Sequence, residues 1–178
     1  MSNCKAKALS IVDIRKIASI VRRILQIPNE EAVDVIKCLD VLTLKFSKHN
    51  FNYIILSDND EIFSKNEEAK TDLISGTIFI KESVYYEACT KKCCRANFTI
   101  AHEIGHFVLH HMLNLMNFAR STNETKAKIY EDPEWQANSF ACEFLMPYDQ
   151  CYYLTPKEIR RRYRVTYAAA SIRYERIY

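Results

Sequence analysis

Residues 98–111 read FTIAHEIGHFVLHH: two histidines four apart, a glutamate beside the first, and an otherwise apolar run. On a helix, residues four apart stand about 40° from each other around the axis, so His102 and His106 share one stripe and can chelate one ion. Glu103 lies about 100° from His102 and about 60° from His106, which sets its carboxylate beside such an ion and not on it. That is the position of a base for a metal-activated water. Without an ion, two imidazoles and a carboxylate on an apolar helix would each need another partner. The stretch therefore predicts a buried helix over about 97–112 and a metal site on its face.

Zinc suits this donor set, because imidazole is a borderline-soft ligand and a catalytic zinc takes three protein ligands with a fourth position open to water. The third ligand must come from elsewhere in the chain. DPEWQANSFACEFLMP, residues 132–147, reads as a helix capped by Asp132 with Pro133 in its first turn. On that helix Glu134 shares a stripe with Ala137, Asn138, Ala141 and Leu145. The small alanines allow two helices to approach closely, and Asn138 stands one turn on, where it can orient a ligand histidine. Glu131, Asp132 and Glu143 are rival ligands. The first two lie in or before the cap and Glu143 points away from the alanine stripe, so Glu134 is preferred.

Outward from these two helices, the pattern is α+β and mostly helical, with a small sheet of about three strands. Ile11, Ile14, Ile17, Ala18, Val21, Ile24 and Leu25 recur at helical spacing behind Ser10, with Asp13 completing a capping box, which predicts a helix over about 11–26. A second helix follows in IPNEEAVDVIKCLDVLTLKF, with Asn29 as its expected cap. Strands are expected at about 51–56 and 77–82, with a further short strand before the turn that carries Gly76. A turn of helix is expected at VYYEAC, a weakly patterned stretch of loop character at 112–132, and two closing helices near 156–163 and 166–177. One domain over 1–178 accommodates this order: N-terminal helices to residue 50, a catalytic core over 51–147, and a basic helical pair over 156–177.

With 178 residues, 48% hydrophobic, two glycines and a net charge of +3, the chain can bury one sizeable core and is too weakly charged overall to imply a nucleic-acid partner. Seven cysteines without framework spacing, charges inside the N-terminal apolar run and the lack of any charge-free spanning window fit free thiols in a reducing cytoplasm, away from a membrane.

Taken together, AKTD (69–72), GTIFIKESVY (76–85), FTIAHEIGH (98–106), EWQANSFACEFLMP (134–147) and VTYAAASIRYERI (165–177) resemble the ImmA/IrrE family of metallopeptidases. The resemblance covers most of the chain from about residue 69 onward, and the first 50 residues match no recognisable pattern. It implies a zincin-like fold, similar in its core to thermolysin-type peptidases, with Zn2+ held by His102, His106 and Glu134 and with Glu103 as catalytic acid/base. It also implies a protein substrate, a repressor of the helix-turn-helix type, since some members of the family cleave such partners. ACTKKCC at 88–94 departs from the family, which usually has glycine and arginine in that loop.

Several secondary expectations remain. His110, His111, Tyr148, Tyr152 and Tyr153 are candidates for a second donor to a developing oxyanion, and His110 can equally pack or hydrogen-bond behind the site. TIFIKE can present an unpaired strand edge to a substrate chain, or lie inside the sheet. The cysteines of residues 89–94 are expected to be free and exposed, and Cys142 to act as a small buried hydrophobe. The basic tail has the outline of a helix-turn-helix, which makes DNA contact conceivable without favouring it. The competing functional class is a non-catalytic module that binds a repressor or DNA through that tail. Glu103 weighs against it, because a purely structural zinc site has no use for such a base.

Overall fold

The computed structural model describes residues 5–91, 93–114, 116–117 and 128–177, and all structural statements concern these. Most of the stretch expected to be a loop at 112–132 lies outside them, as does Cys4. Strand β1 (Lys5–Ala6) leads into α1 (Ile11–Ile24), which begins as its sequence predicts: Ser10 accepts from the Asp13 amide, and the Asp13 carboxylate accepts from Ser10. Its inward face buries Ile14, Ala18, Val21 and, unusually, Arg22.

That arginine corrects the expected start of the second helix. The Arg22 guanidinium donates to the carbonyls of Pro28, Glu31 (2.9 Å) and Phe144 (2.7 Å). Residues 28–31 are thereby held in a turn, closed by the Glu31 amide on the Pro28 carbonyl. Helix α2 runs only over Val35–Lys45, and its cap is Asp34, which accepts from the Lys37 amide, not Asn29.

Three strands follow: β2 (Asn52–Leu56), β3 (Ala69–Asp72) and β4 (Thr77–Lys81). β4 pairs in parallel with β2 on one side and antiparallel with β3 on the other, giving the order β2-β4-β3. The edge role considered for TIFIKE therefore passes to β3. β4 has neighbours on both sides and buries Ile78 and Ile80 completely. Short α3 (Glu82–Tyr86) and a π-helical segment over Glu87–Lys91 lead to α4 (Cys94–His106), which runs straight on into a π-helical turn, Phe107–Met112.

Strand β5 (Met116–Asn117) pairs with β1. Helix α5 (Pro133–Leu145) starts at Pro133 with Asp132 accepting from the Glu134 amide. Helices α6 (Tyr148–Cys151), α7 (Pro156–Tyr163) and α8 (Tyr167–Glu175) complete the α+β, mostly helical fold. One cluster of buried apolar side chains runs from Ile14 to Ala170, and in it Phe107 meets Phe51 edge-on at 4.6 Å between ring centroids.

Candidate metal centre

Helix α4 lies between the sheet and α5. Ile100, Ile104 and Phe107 are fully buried, and the opposite stripe turns His102 and His106 toward α5. The two helices touch through small groups. A Cβ added at Gly105 would stand 3.0 Å from Phe140 Cδ1 and 3.2 Å from the Ala137 carbonyl oxygen, and Ala137 and Ala141 are fully buried. The glycine between the histidines and the alanine stripe therefore bring Glu134 within reach of both rings.

His102 Nε2 and His106 Nε2 are 3.0 Å apart, and each lies 3.3 Å from one oxygen of Glu134. A tetrahedral ion with bonds of about 2.0–2.1 Å keeps its donors roughly 3.3 Å from one another. The separations and the chemistry of this donor set thus fit a single small cation, and among the described residues this is the cluster of histidine, cysteine and acidic groups able to hold one. Glu134, its side chain 65% exposed, stands at the open side.

Electrostatics agree with the geometry. The imidazoles of His102 and then His106 beside it hold the Glu134 carboxyl well below the usual carboxylate range. Burial works against a charge on His102, but the hydrogen bond to Glu134 and the charges of Glu103 and Glu134 outweigh it and raise its pKa. The cluster draws positive charge to itself.

The rings are anchored from behind. His102 Nδ1 is 3.1 Å from Asn138 Oδ1, the orienting contact expected from the helix stripe. His106 Nδ1 is 3.1 Å from His110 Nδ1, and His110 Nε2 is 3.1 Å from Gln136 Oε1. His110 is buried, and burial followed by the neighbouring His106 pushes its pKa down to about 4. It sits behind the centre and does not line the cleft. His111 instead reaches the carbonyls of Leu73 and His49, and Gly76, at φ +77°, leaves room for its ring. Tyr148 lies under the Arg15 guanidinium at 3.6 Å, and Tyr152 and Tyr153 are exposed. Among the described residues, none of the five expected oxyanion donors lines the cleft.

The cleft, about 490 Å³, is walled by β3 and α4, with Lys70, Thr71, Thr99 and Glu103 among its lining residues. Glu103 is buried at the floor, and the Thr71 hydroxyl donates to its Oε2 at 2.7 Å. Thr71 falls within AKTD, one of the stretches that carry the resemblance, but its contact with Glu103 has no signature in spacing, because it depends on how β3 pairs with β4. Gln136 carries a weak one: an amide on the inward face of a helix must find partners.

The rival ligands are otherwise engaged. Glu143 is buried between Arg15 (3.1 Å) and Arg173 (2.8 Å), Glu131 accepts from the Lys128 amide, and Asp132 caps α5. Arg173 is thereby withdrawn from the basic tail, whose exposed cations include Arg160, Arg161, Arg162 and Arg164. Among the described residues Cys89 is exposed, Cys93, Cys94 and Cys142 are half-buried, and none is in a disulfide. No helix among the described residues is long and apolar enough to cross a membrane.

Comparison with known proteins agrees with this architecture. No curated protein matches the chain. Among solved structures, a Mycobacterium tuberculosis transcriptional regulator shares the fold with a TM-score of 0.55 at 13% identity, over 89% of this chain and 45% of that one. The chain thus spans less than half the length of that protein. A family model described as the IrrE N-terminal-like domain matches residues 81–175, which include α4 and α5 with their converging histidines and glutamate. With more than half of its length matched, the chain belongs to the IrrE N-terminal-like family of metallopeptidases.

Proposed function

We propose that this protein is a zinc-dependent endopeptidase of narrow specificity that cleaves a regulatory protein of the helix-turn-helix repressor type. The carrying observation is the convergence of His102 Nε2, His106 Nε2 and Glu134 at 3.0–3.3 Å beside a buried carboxylate that is not a member of the cluster. His102, His106 and Glu134 would hold the zinc. When bound, zinc supplies Lewis acidity, making a water acidic near neutral pH and accommodating negative charge on oxygen.

The chain's own groups do the rest. Glu103 takes the proton of the attacking water and later delivers it to the departing amine nitrogen. Thr71 fixes one carboxylate oxygen and leaves the other for that proton. The outer edge of β3 offers backbone donors and acceptors along the cleft, to which an extended substrate segment can add as a strand. The repressor as substrate rests on family membership, and is consistent with a relative of similar fold that is itself a transcriptional regulator.

The test has two parts. Purified protein should carry one zinc per chain by elemental analysis. Incubation with helix-turn-helix repressors encoded in the same genome should then shorten one of them, and Glu103→Gln should abolish that cleavage with zinc content unchanged. Full cleavage by Glu103→Gln would remove the proposed base.

A further inference from the structure

Behind His106 lies a chain of hydrogen bonds whose direction is fixed at its far end. Gln136 Nε2 is 2.8 Å from the Lys7 carbonyl and 2.8 Å from the Tyr130 carbonyl. Carbonyl oxygens only accept, so both amide hydrogens are committed and the amide cannot be turned around. Gln136 Oε1 therefore faces His110 Nε2 and must accept, which places a proton on that nitrogen. His110 is buried and faces an amide and another imidazole, with no carboxylate among its hydrogen-bond partners. Its single proton is accounted for, and its Nδ1 is left with a bare lone pair. That lone pair, 3.1 Å from His106 Nδ1, requires the proton of His106 to sit on Nδ1. His106 Nε2 is then the nitrogen without hydrogen, and it is the one that points at His102 Nε2 and Glu134.

We propose that Gln136, acting through His110, sets the tautomer of His106 and so keeps its Nε2 free to bind a metal ion. Both are positioning residues. Neither is among the residues that line the cleft. The inference rests on the proposed metal site, and it adds a dependence on distant backbone. The two carbonyls that orient Gln136 come from the segment that follows β1 and from the turn that precedes α5. The opposite direction of the chain would be chemically sound in itself, but it would put the His106 proton on Nε2 and block coordination. The Lys7 and Tyr130 carbonyls exclude it.

The experiment reads ring protons directly. In zinc-free full-length protein at mildly alkaline pH, 15N NMR of the histidine side chains should show His106 protonated at Nδ1 and His110 at Nε2. Gln136→Met, close in shape but unable to orient anything, should give mixed tautomers at both rings. It should also weaken zinc binding about ten- to a hundredfold in chelator competition, with an unchanged circular dichroism spectrum. Wild-type protein with the His106 proton on Nε2 would overturn the proposal, and so would a Gln136→Met protein with wild-type tautomers and wild-type zinc affinity. If Gln136→Met does not fold, the wild-type ring assignment alone decides. Failure of wild-type protein to take up zinc would strike the metal site itself, whereas the tautomer assignment needs no metal and is judged separately.

Discussion

Thr71 and Glu103, 32 residues apart in the chain, meet at 2.7 Å where the edge strand crosses the floor of the cleft. A hydrogen bond to a charged group contributes roughly 1.5–3 kcal/mol, so losing it is felt. Thr71→Val keeps the shape and removes the hydroxyl. Turnover of the cognate substrate should fall about ten- to a hundredfold while zinc content stays at one per chain. Unchanged turnover would show that the carboxylate needs no such support.

Glu134 supplies the only carboxylate of the three-donor cluster, and it is the member furthest from the core. Glu134→Ala should lose most of the bound zinc on dialysis against a mild chelator, and the circular dichroism spectrum should change little. Retention of zinc at the wild-type level would remove Glu134 from the ligand set.

A zinc ion bound as proposed would have to displace a proton. Although burial opposes charge on His102, Glu134 and Glu103 raise its pKa above the ordinary histidine value, so metal-free protein is protonated there at higher pH than a free imidazole. Affinity should therefore decline as pH falls through that raised pKa, by up to about tenfold per unit, with proton release on binding. Calorimetry in buffers of different ionisation enthalpy measures the release. A pH-independent affinity across the histidine range would contradict the assignment.

His110 has the opposite sign. Its folded pKa is depressed, from an ordinary 6.5 to about 4, by burial and then by His106. In the unfolded chain the ring takes a proton that the fold refuses, so metal-free protein should lose stability as pH falls from about 6.5 toward 4, by on the order of 3 kcal/mol from this residue. Urea titrations at a series of pH values should show a shallower acid slope for His110→Gln than for wild type.

Gly105→Ala tests the helix crossing. A helical alanine gains about 1 kcal/mol over glycine, but the new methyl meets Phe140 at 3.0 Å and the Ala137 carbonyl at 3.2 Å. Overpacking of this kind costs roughly 1–3 kcal/mol, so a net loss of about 1 kcal/mol is expected. Zinc affinity should drop with it, because α5 carries Glu134. A more stable variant would mean that Phe140 yields easily.

The part of this architecture legible in the sequence is the part set by local spacing. Ser10 with Asp13, the four-residue step from His102 to His106, and the stripe that joins Glu134 to the alanines are all consequences of helical periodicity, and each appears where it was expected. What escaped depends on partners distant in the chain. The start of α2 is displaced where the buried Arg22 donates through its two terminal nitrogens to three carbonyls. The place of TIFIK in the sheet is decided by β2, paired in parallel across a long connection. Thr71 and Gln136 acquire their roles from contacts over 32 and 129 residues, for which one sequence holds no periodic signal.

Strand β3 has one more implication. Its inner side is zipped to β4, its outer side pairs with no strand among the described residues, and one of its four residues grips Glu103, the proposed base. On the proposed function, a polypeptide clasping that rim would pull on the same short ribbon that holds Glu103, which would make the grip on the visitor and the aim of the proton acceptor mechanically one adjustment. A guest seated a residue out of step would tug that ribbon askew, and the enzyme would discriminate by alignment as much as by side-chain identity.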